Sequence, residues 1–551
     1  MKNLICTLLV SLSCSVAFSV PTEGQKIIVA GPSPYSAEIA RDIYKQGGNV
    51  VDVAVAVALG LSVTSPYYAS LGGGGFALVE LGKGVEALDF RETAPAVAHK
   101  DLYKDQSKTA SVDGGLAVGV PGIPAGLKAL HERYGKLPWK KLFTHAEKLA
   151  TEGFLVSGEW SNNANSEWKR FNSAGKRIFA KSKGDSPLLP GDLLKQPELA
   201  AALKKFKEQG SDGFYKGEVA KDLVQAVKAT GGVIELSDLS AYKVRWLKAM
   251  ETTYLGHTVY MMPLPSSSGV VMTMALKLAE RMKLSTVAPL SSSEMHLWGE
   301  ILKFSFRQRM DLGDPDFSKK NLQEIDYEGL ANQFVEKFKT DKTMKLESSV
   351  AQTPKETQTT HFSVLDSKGN SVAMTITLNG MHGSGVMTPR FGIMLNNEMD
   401  DFNTKPGQPN QFGLIQGEAN NVEAGKRPLS SMSPTLVKKD GKVILSLGSP
   451  GGPRIISSVL QVLHRVIGNG FDIDQAIQSP RVHHQFLPDK LFIDKRKVSP
   501  DTIDALTKRG HKIEEAGIAK VYGVHVRDSK TNDKILEGAF DSRGEGGVGG
   551  F

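Results

Sequence analysis

The sequence predicts a large α+β protein, because helical and strand-like patterns dominate different parts of the chain. Between residues 120 and 310, several amphipathic patterns have the spacing of helices and stop at glycines. From residue 359 onward the pattern changes to short β-rich runs separated by turns. With 551 residues, 40% of them hydrophobic and 23% charged, the chain can bury an extensive core. These values exclude a disordered chain and a single small module.

The first half of the chain predicts one strand followed by helices. Residues 50–63 are almost wholly apolar and rich in alanine, which indicates a buried helix that packs closely through small side chains. The other elements expected here are a strand over 25–30 and helices over 36–46, 197–209 and 217–230.

The second half predicts strands and two further helices. Residues 341–358 are polar and lack periodicity, so we expect an exposed loop that leads directly into a strand beginning with threonines. The elements expected after this loop are strands over 361–366, 371–379 and 442–447 and helices near 455–467 and 500–509.

The charge balance excludes a nucleic-acid partner. The chain carries 67 Lys and Arg against 59 Asp and Glu, a formal net charge of +8. This small excess is spread along the chain without a basic stripe, whereas phosphate binding needs clustered positive charge.

The N-terminus predicts export. A short basic segment, an apolar run over 4–18 and the small residues around Phe18 are typical of a signal peptide spanning 1–19, so we expect a periplasmic or secreted protein without a membrane anchor. Both cysteines, Cys6 and Cys14, lie in this segment, and the mature chain would therefore have no disulfide and no thiolate metal site. A lipoprotein anchored at Cys14 is the alternative, but the residues before it make a poor lipobox.

A hairpin after the polar loop brings polar side chains together. Gly369 suits the left-handed position of a three-residue turn, and that turn places Thr359 opposite Thr377, with Asn379 on the same face. The opposite face, which holds Ile376, is apolar. A plain solvent-facing side of a hairpin remains the alternative, because threonine is common there, and a two-residue turn would shift the register and break the pairing.

Motifs that carry a family resemblance run through the chain from about Lys26 to Phe551. They are, in order, Gly72-Gly-Gly-Gly-Phe76, Asp89-Phe-Arg-Glu92, Gly313-Asp-Pro-Asp-Phe317, Thr359-Thr-His-Phe-Ser-Val-Leu-Asp366, Thr377-Leu-Asn379, Asn396-Asn-Glu-Met-Asp-Asp-Phe402, Arg427-Pro-Leu-Ser-Ser-Met-Ser-Pro-Thr435, Gly448-Ser-Pro-Gly-Gly452 and Pro480-Arg-Val-His-His-Gln485. In identity and order they resemble the gamma-glutamyltransferase (gamma-glutamyltranspeptidase) family.

The resemblance implies the four-layer αββα sandwich of the N-terminal nucleophile hydrolases. It also implies that the precursor cleaves itself between Gln358 and Thr359. The products would be a large subunit, 20–358, and a small subunit, 359–551, which remain together as a heterodimer forming one domain.

The same resemblance assigns the chemistry. A threonine hydroxyl needs a base, and the α-amine that cleavage would expose at Thr359 titrates near neutral pH. By resemblance Thr377 positions Thr359, while the N–H groups of Gly451 and Gly452 stabilise the oxyanion. A phosphate loop is the rival interpretation of these glycines, but the Gly-Lys-Ser/Thr ending of a nucleotide loop is missing.

A γ-glutamyl group carries a free α-carboxylate and a free α-ammonium, and the resemblance implies residues for both. Arg91, Ser430 and Ser431 match the family positions that bind the carboxylate, and Asn379, Glu398 and Asp401 match those that bind the ammonium. Taken singly, the acidic residues could be a solvated loop and the serines an ordinary turn.

No cofactor or metal is expected. His483 and His484 are adjacent and would point to opposite faces of a strand, without a third ligand at suitable spacing. A Gly-x-Ser-x-Gly elbow is also missing from the sequence.

Some positions depart from the family pattern. Residues 405–414 resemble a lid loop, with Phe412 where a tyrosine is common. Phenylalanine lacks the hydroxyl that would bond to Asn379, so we expect a looser lid and a changed acceptor preference. Leu264, Ser268, the segment 67–70 and His382, which stands where an aromatic residue is usual, also differ and bear on substrate range.

The sequence therefore predicts an exported γ-glutamyltransferase and glutathione hydrolase that acts on γ-glutamyl compounds, with water or amino acids and peptides as acceptors. The nearest rival is a cephalosporin acylase of the same superfamily, which takes a glutaryl group without an ammonium. The rival from another class is an unprocessed periplasmic binding protein.

Overall fold

Two antiparallel sheets of seven strands each pack face to face, and helices cover the outer side of both. The computed structural model describes residues 21–181, 186–318, 325–345, 359–495, 497–528 and 534–551. This arrangement is the four-layer αββα sandwich, so the predicted fold class is confirmed. The predicted signal peptide and Gln358 lie outside the described residues.

The described residues form 19 strands. In chain order they are β1 (Thr22–Gly24), β2 (Ile27–Gly31), β3 (Gly74–Glu80), β4 (Val85–Phe90), β5 (Phe154–Leu155), β6 (Leu193–Leu194), β7 (Arg245–Lys248), β8 (Met250–Tyr254), β9 (His257–Met261), β10 (Thr360–Asp366), β11 (Ser371–Thr377), β12 (Thr435–Lys439), β13 (Lys442–Gly448), β14 (Val482–His483), β15 (Leu491–Asp494), β16 (Ile513–Ala516), β17 (Tyr522–Asp528), β18 (Lys534–Phe540) and β19 (Gly547–Gly550).

The same part of the chain forms 16 α-helices. They are α1 (Tyr35–Lys45), α2 (Val50–Thr64), α3 (Ile123–Tyr134), α4 (Thr144–Glu152), α5 (Gly158–Glu167), α6 (Ser173–Phe179), α7 (Pro197–Gln209), α8 (Asp212–Tyr215), α9 (Gly217–Ala229), α10 (Leu236–Ala241), α11 (Ser268–Arg281), α12 (Ser292–Arg307), α13 (Tyr327–Lys337), α14 (Arg454–Asn469), α15 (Ile473–Gln478) and α16 (Pro500–Lys508).

Each large sheet combines strands from before residue 345 with strands from after residue 359. One sheet has the order β1-β18-β17-β13-β12-β9-β8 and the other β19-β2-β10-β11-β3-β4-β7. The halves of the chain therefore interleave within both sheets. Among the described residues, no helix has the length and apolar character needed to cross a membrane.

Helix α2 is the buried helix predicted from its alanines. Asn49 caps it by accepting the N–H groups of Val51 and Asp52, both at 3.0 Å. Every residue of the helix is buried, and it packs across β10 and β11. The ten predicted helices and strands all lie within two residues of their observed bounds.

The hairpin β10–β11 has the predicted register, with Thr360 paired to Ile376 and Leu365 to Ser371. Gly369 has φ +86°, the left-handed conformation expected at that turn position. The second strand ends at Thr377 and not at Asn379 as predicted, because Asn379 turns away with φ +73°. Both faces of β11 are buried between layers, so the solvent-facing interpretation of this hairpin is wrong.

Candidate active site

Two threonine hydroxyls meet at the end of the central hairpin. The Oγ1 atoms of Thr359 and Thr377 are 3.2 Å apart, and both residues are buried. The Thr377 Oγ1 atom also accepts the N–H of Asn379 at 2.8 Å. The contact that the sequence register permitted is therefore present.

The glycine run before β3 allows this hairpin to pack closely. Gly74 pairs with Thr377 across the sheet, and a Cβ atom on Gly73 would lie 2.0 Å from the Thr377 carbonyl oxygen. Since no side chain fits at that distance, glycine is required where the β3 segment passes the threonine pair.

The threonine pair lines a small cavity. The lining residues predicted from the sequence are Arg91, Thr359, Thr377, Asn379, Glu398, Asp401, Ser430, Ser431, Gly452 and, from the lid segment, Phe412. Gly451, also predicted, lies beside this cavity and lines a neighbouring groove. The structure thus brings together residues that are up to 361 positions apart in the sequence, from Arg91 to Gly452.

Arg91 follows β4 and is fully buried among acidic groups. Its Nη1 atom pairs with Glu398, its Nη2 atom lies 2.6 Å from Asp401 Oδ2, and its Nε–H donates to the Pro428 carbonyl. Glu398 and Asp401 belong to one short 3-10 helix, Glu398–Asp401, which sets both carboxylates on the same side of the cavity. The predicted carboxylate-binding cation and ammonium-binding anions are therefore paired with one another.

Burial shifts the protonation equilibria of these acids. It raises the pKa of Glu398 and of Asp401, and the guanidinium of Arg91 opposes the rise in both. Burial raises the pKa of the neighbouring Glu92 to about 7. The positive charge of Arg91 therefore favours the ionised form of these buried acids.

Neutral hydrogen-bonding groups complete the cavity wall. Ser431 Oγ is buried and has no partner among the described residues, whereas Ser430 Oγ accepts the N–H of Met432 at 3.1 Å. The Asn379 side chain donates to the Asn397 carbonyl at 3.0 Å, which leaves its amide oxygen available for an ammonium.

Gly451 and Gly452 lie between the end of β13 and the start of α14. Both have positive φ, +124° and +54°, and their carbonyls accept the first N–H groups of the helix, those of Arg454 and Ile455. A helix N-terminus carries partial positive charge, so this turn suits a developing oxyanion.

Residues 405–414, the predicted lid, cover the cavity. Phe412 and Leu414 line it. The segment is attached to the acidic helix because Asn410 Nδ2 donates to Asp401 Oδ1 at 3.1 Å and the Gln411 N–H to Asp400 Oδ2 at 3.0 Å. Gln485 holds the lid from the other side by donating to the Phe412 carbonyl.

Arg309 is the charged residue of the cavity that the sequence analysis missed. It lies in the 3-10 helix Gln308–Asp311 that follows α12. The family motif Gly313-Asp-Pro begins four residues later. Its proximity to that motif was the available signal. The sequence also did not single out Met432, Pro453 and Ile455 as lining residues, because apolar side chains carry no such signal.

The adjacent histidines have separate partners. His483 contacts Ser457 and Gln485, and His484 contacts Asp489. Elsewhere in the described chain, His296, Glu300 and His511 lie close enough to share an ion. There His296 Nδ1 and His511 Nε2 are 2.7 Å apart and hydrogen-bonded, and the ammonium of Lys303 lies 3.4 Å from Glu300.

Comparison with known proteins decides the family. A sequence profile described as gamma-glutamyltranspeptidase matches residues 36–551. The chain belongs to the gamma-glutamyltranspeptidase family. It is 40% identical over 505 residues to the glutathione hydrolase proenzyme of Escherichia coli (strain K12), covering 90% of this chain and 87% of that protein. It is 38% identical over 548 residues to the glutathione hydrolase proenzyme of Pseudomonas aeruginosa, covering 98% and 96%.

Solved structures agree with this gamma-glutamyltranspeptidase assignment. The gamma-glutamyltranspeptidase of Helicobacter pylori is 33% identical with a TM-score of 0.55, over 56% of this chain and 91% of that one. A cephalosporin acylase from Bacillus halodurans superposes with a TM-score of 0.83 over 99% of both chains, at 22% identity. The latter likeness shows the shared N-terminal nucleophile hydrolase fold alone. The recognised family and enzyme class are therefore confirmed.

Proposed function

We propose that this gamma-glutamyltranspeptidase is an exported, self-cleaving enzyme that transfers γ-glutamyl groups from glutathione and related amides through an ester on Thr359. The observation that carries the proposal is the Thr359–Thr377 contact of 3.2 Å in a cavity where the guanidinium of Arg91 lies between two carboxylates. The names of the relatives, glutathione hydrolase proenzymes, support both the substrate and the processing.

Processing is the first step. The hydroxyl of Thr359 attacks the carbonyl carbon of Gln358, the peptide bond becomes an ester, and water hydrolyses the ester. The products are the chains 20–358, after removal of 1–19, and 359–551. The reaction leaves a free α-amine on Thr359, which then serves as the base for its own hydroxyl.

Acyl transfer follows the same geometry. The Thr359 oxygen attacks the γ-carbonyl carbon while the amine takes its proton, and the N–H groups of Gly451 and Gly452 receive the oxyanion. Collapse of the intermediate breaks the amide bond and returns the proton to the leaving amine, which is cysteinylglycine when glutathione is the donor. Water or an amino acid or peptide amine then attacks the Thr359 ester and regenerates the hydroxyl.

Charge complementarity orients the donor. The α-ammonium of the donor replaces Arg91 as the partner of Glu398 and Asp401 and also binds the Asn379 amide oxygen. The α-carboxylate of the donor binds Arg91, Ser430 and Ser431. Two carboxylates in the cavity disfavour a glutaryl group, which brings a negative charge and no ammonium. This argues for the γ-glutamyl donor over the acylase alternative.

Three proteins test the proposal: the wild type, Thr359→Ala and Thr359→Ser. We expect the wild type to give two chains on a denaturing gel, with the smaller one beginning at Thr359, and to turn over γ-glutamyl anilide faster than glutaryl anilide. Thr359→Ala should remain one chain without turnover, whereas Thr359→Ser, which keeps a hydroxyl, should retain part of both activities. An uncleaved Thr359→Ala protein with full activity would refute the mechanism, and an intact, inactive wild type would favour a binding protein.

A further inference from the structure

Arg309 is a buried cation in the wall of the donor cavity. The residue is 3% exposed and lines the cavity together with Thr359, Arg91 and Asp401. No family motif recognised in the sequence includes it. The cavity therefore holds two guanidinium groups, and the mechanism above uses only Arg91.

The protein leaves much of the hydrogen-bonding capacity of Arg309 unused. Its Nη1 atom is 3.4 Å from Gln416 Oε1, and its Nε–H is buried without a partner among the described residues. Gln416 Oε1 already accepts Asn420 at the shorter distance of 2.6 Å, so Arg309 is only its second donor. By contrast, Arg91 uses Nε, Nη1 and Nη2 on protein partners. Arg309 therefore has more unused donors than Arg91.

Arg309 also acts on the acids of the cavity. Burial and the charge of Arg91 lower the pKa of Arg309 to about 10, which leaves it protonated at neutral pH. Its positive charge, with that of Arg91, opposes the rise in the pKa of Asp401 that burial causes. Arg309 thus helps Asp401 to remain ionised for an ammonium.

With both arginines counted, the charged groups lining the cavity sum to zero when Glu398 and Asp401 are ionised. A γ-glutamyl group is a zwitterion and keeps that balance, whereas a 4-aminobutyryl group brings a positive charge alone and a glutaryl group a negative charge alone. Without Arg309 the lining would be negative and would favour an acyl group that carries the ammonium only.

We propose that Arg309 is a specificity-determining residue of the donor cavity: its charge and free N–H make the enzyme select acyl donors that carry an α-carboxylate. The inference rests on the proposed function, since it names a further residue for the same donor. It assigns Arg309 to recognition of the zwitterion and leaves the acyl-transfer chemistry to Thr359.

The test compares γ-glutamyl, 4-aminobutyryl and glutaryl p-nitroanilides with the wild type, Arg309→Lys, Arg309→Gln and Arg309→Met. We expect the two neutral variants to lower kcat/KM for the γ-glutamyl anilide about tenfold or more, mainly through KM, while activity on the 4-aminobutyryl anilide is kept or raised. Arg309→Lys keeps the charge and should keep most of the preference. Cleavage into two chains on a denaturing gel reports folding of each variant.

The possible failures are distinguishable. A wild type inactive on all three anilides refutes the proposed function, whereas an active wild type with an unchanged substrate ratio in Arg309→Gln and Arg309→Met refutes the role of Arg309. An equal loss on every anilide assigns Arg309 a structural role and also refutes it. If neither neutral variant folds, Gln416→Glu decides, because it places a carboxylate against Arg309 and neutralises its charge in place: an unchanged ratio of γ-glutamyl to 4-aminobutyryl turnover in this variant overturns the inference.

Discussion

The hydroxyl oxygen of Thr377 lies 3.2 Å from that of Thr359 and at the same time accepts the main-chain N–H of Asn379. The second bond fixes the direction in which the Thr377 oxygen faces its partner. Because Thr377 is the last residue of β11 and Thr359 immediately precedes β10, the sheet itself sets the distance between the two hydroxyls. Thr377 is therefore placed to orient the proposed nucleophile.

Removing the Thr377 hydroxyl should slow both reactions of Thr359. For Thr377→Ala we expect self-cleavage and turnover of γ-glutamyl anilide to fall by about 10- to 100-fold, as expected for the loss of one buried hydrogen bond. Thr377→Ser keeps the hydroxyl and should recover most of the rate. Gel densitometry of the precursor and steady-state kinetics measure the two reactions. Equal rates for the alanine and serine variants would show that the hydroxyl contact is not used.

Arg91 cannot be replaced by lysine without loss. A single ammonium cannot reach Glu398, Asp401 and the Pro428 carbonyl together, as the planar guanidinium does. We therefore expect Arg91→Lys to raise KM for γ-glutamyl anilide by about tenfold or more and to lower the free energy of unfolding by about 1–3 kcal/mol. Arg177→Lys is the control, since Arg177 pairs with Glu198 at the surface. A KM unchanged in Arg91→Lys would exclude Arg91 from donor binding.

The lid should be sensitive to the charge at position 410. The Asn410 side chain donates to Asp401, and its oxygen accepts the N–H groups of Phe412 and Leu414. Asn410→Asp keeps the oxygen that accepts these two N–H groups but replaces the amide donor with a carboxylate oxygen. The new carboxylate repels that of Asp401 and raises the pKa of Asp401. We expect a higher KM and an acid limb of kcat/KM that moves to higher pH, because Asp401 must be ionised to bind the ammonium.

Asn421→Asp is the control variant for this experiment. Asn421→Asp changes a nearby amide whose oxygen accepts Asn403, and it should leave the pH profile in place. A profile that is identical in the wild type and Asn410→Asp would mean that the lid does not contact Asp401 during turnover.

Local patterns were enough to predict much of this fold. The turn glycine Gly369 and the alternation along β11 gave the correct register of the hairpin, and with it the Thr359–Thr377 contact. The end of β11 was misplaced because the positive φ of Asn379 is not encoded in strand alternation.

The sequence does not predict which side chains from distant parts of the chain contact each other. The resemblance assigned Arg91 to a carboxylate and Glu398 to an ammonium, but it gave no indication that these residues pair with each other. Arg309 was not predicted because its one signal in the sequence, proximity to Gly313-Asp-Pro, does not distinguish a cavity wall from a solvated helix end. Its contacts with Gln416 and the cavity make that distinction.

His382 is a buried imidazole in an aromatic cage, and replacing it tests how the fold responds to acid. Its ring lies 4.8 Å from that of Phe171 and 5.9 Å from those of Tyr67 and Phe179. Both ring nitrogens lack a hydrogen-bond partner among the described residues, and burial lowers the pKa of His382 to about 3. Phenylalanine would fill the same cage without an unsatisfied polar atom.

The sign of the pH effect follows from proton binding. Below its ordinary pKa of 6.5 the unfolded chain protonates His382 while the folded chain does not, so the wild type loses stability as the pH falls from 6.5 towards 3. His382→Phe lacks this loss. The urea midpoints of the two proteins should therefore separate as the pH falls below 6.5. Relative to the wild type, the free energy of unfolding of the variant should rise by about 1.4 kcal/mol per pH unit. At pH 8 the left-handed backbone at this position, φ +54°, opposes the stability gained from the bulkier ring. The change of the stability difference with pH, and not its value at one pH, is therefore the decisive quantity. Parallel curves between pH 7 and 4 would mean that the folded protein accommodates a protonated His382.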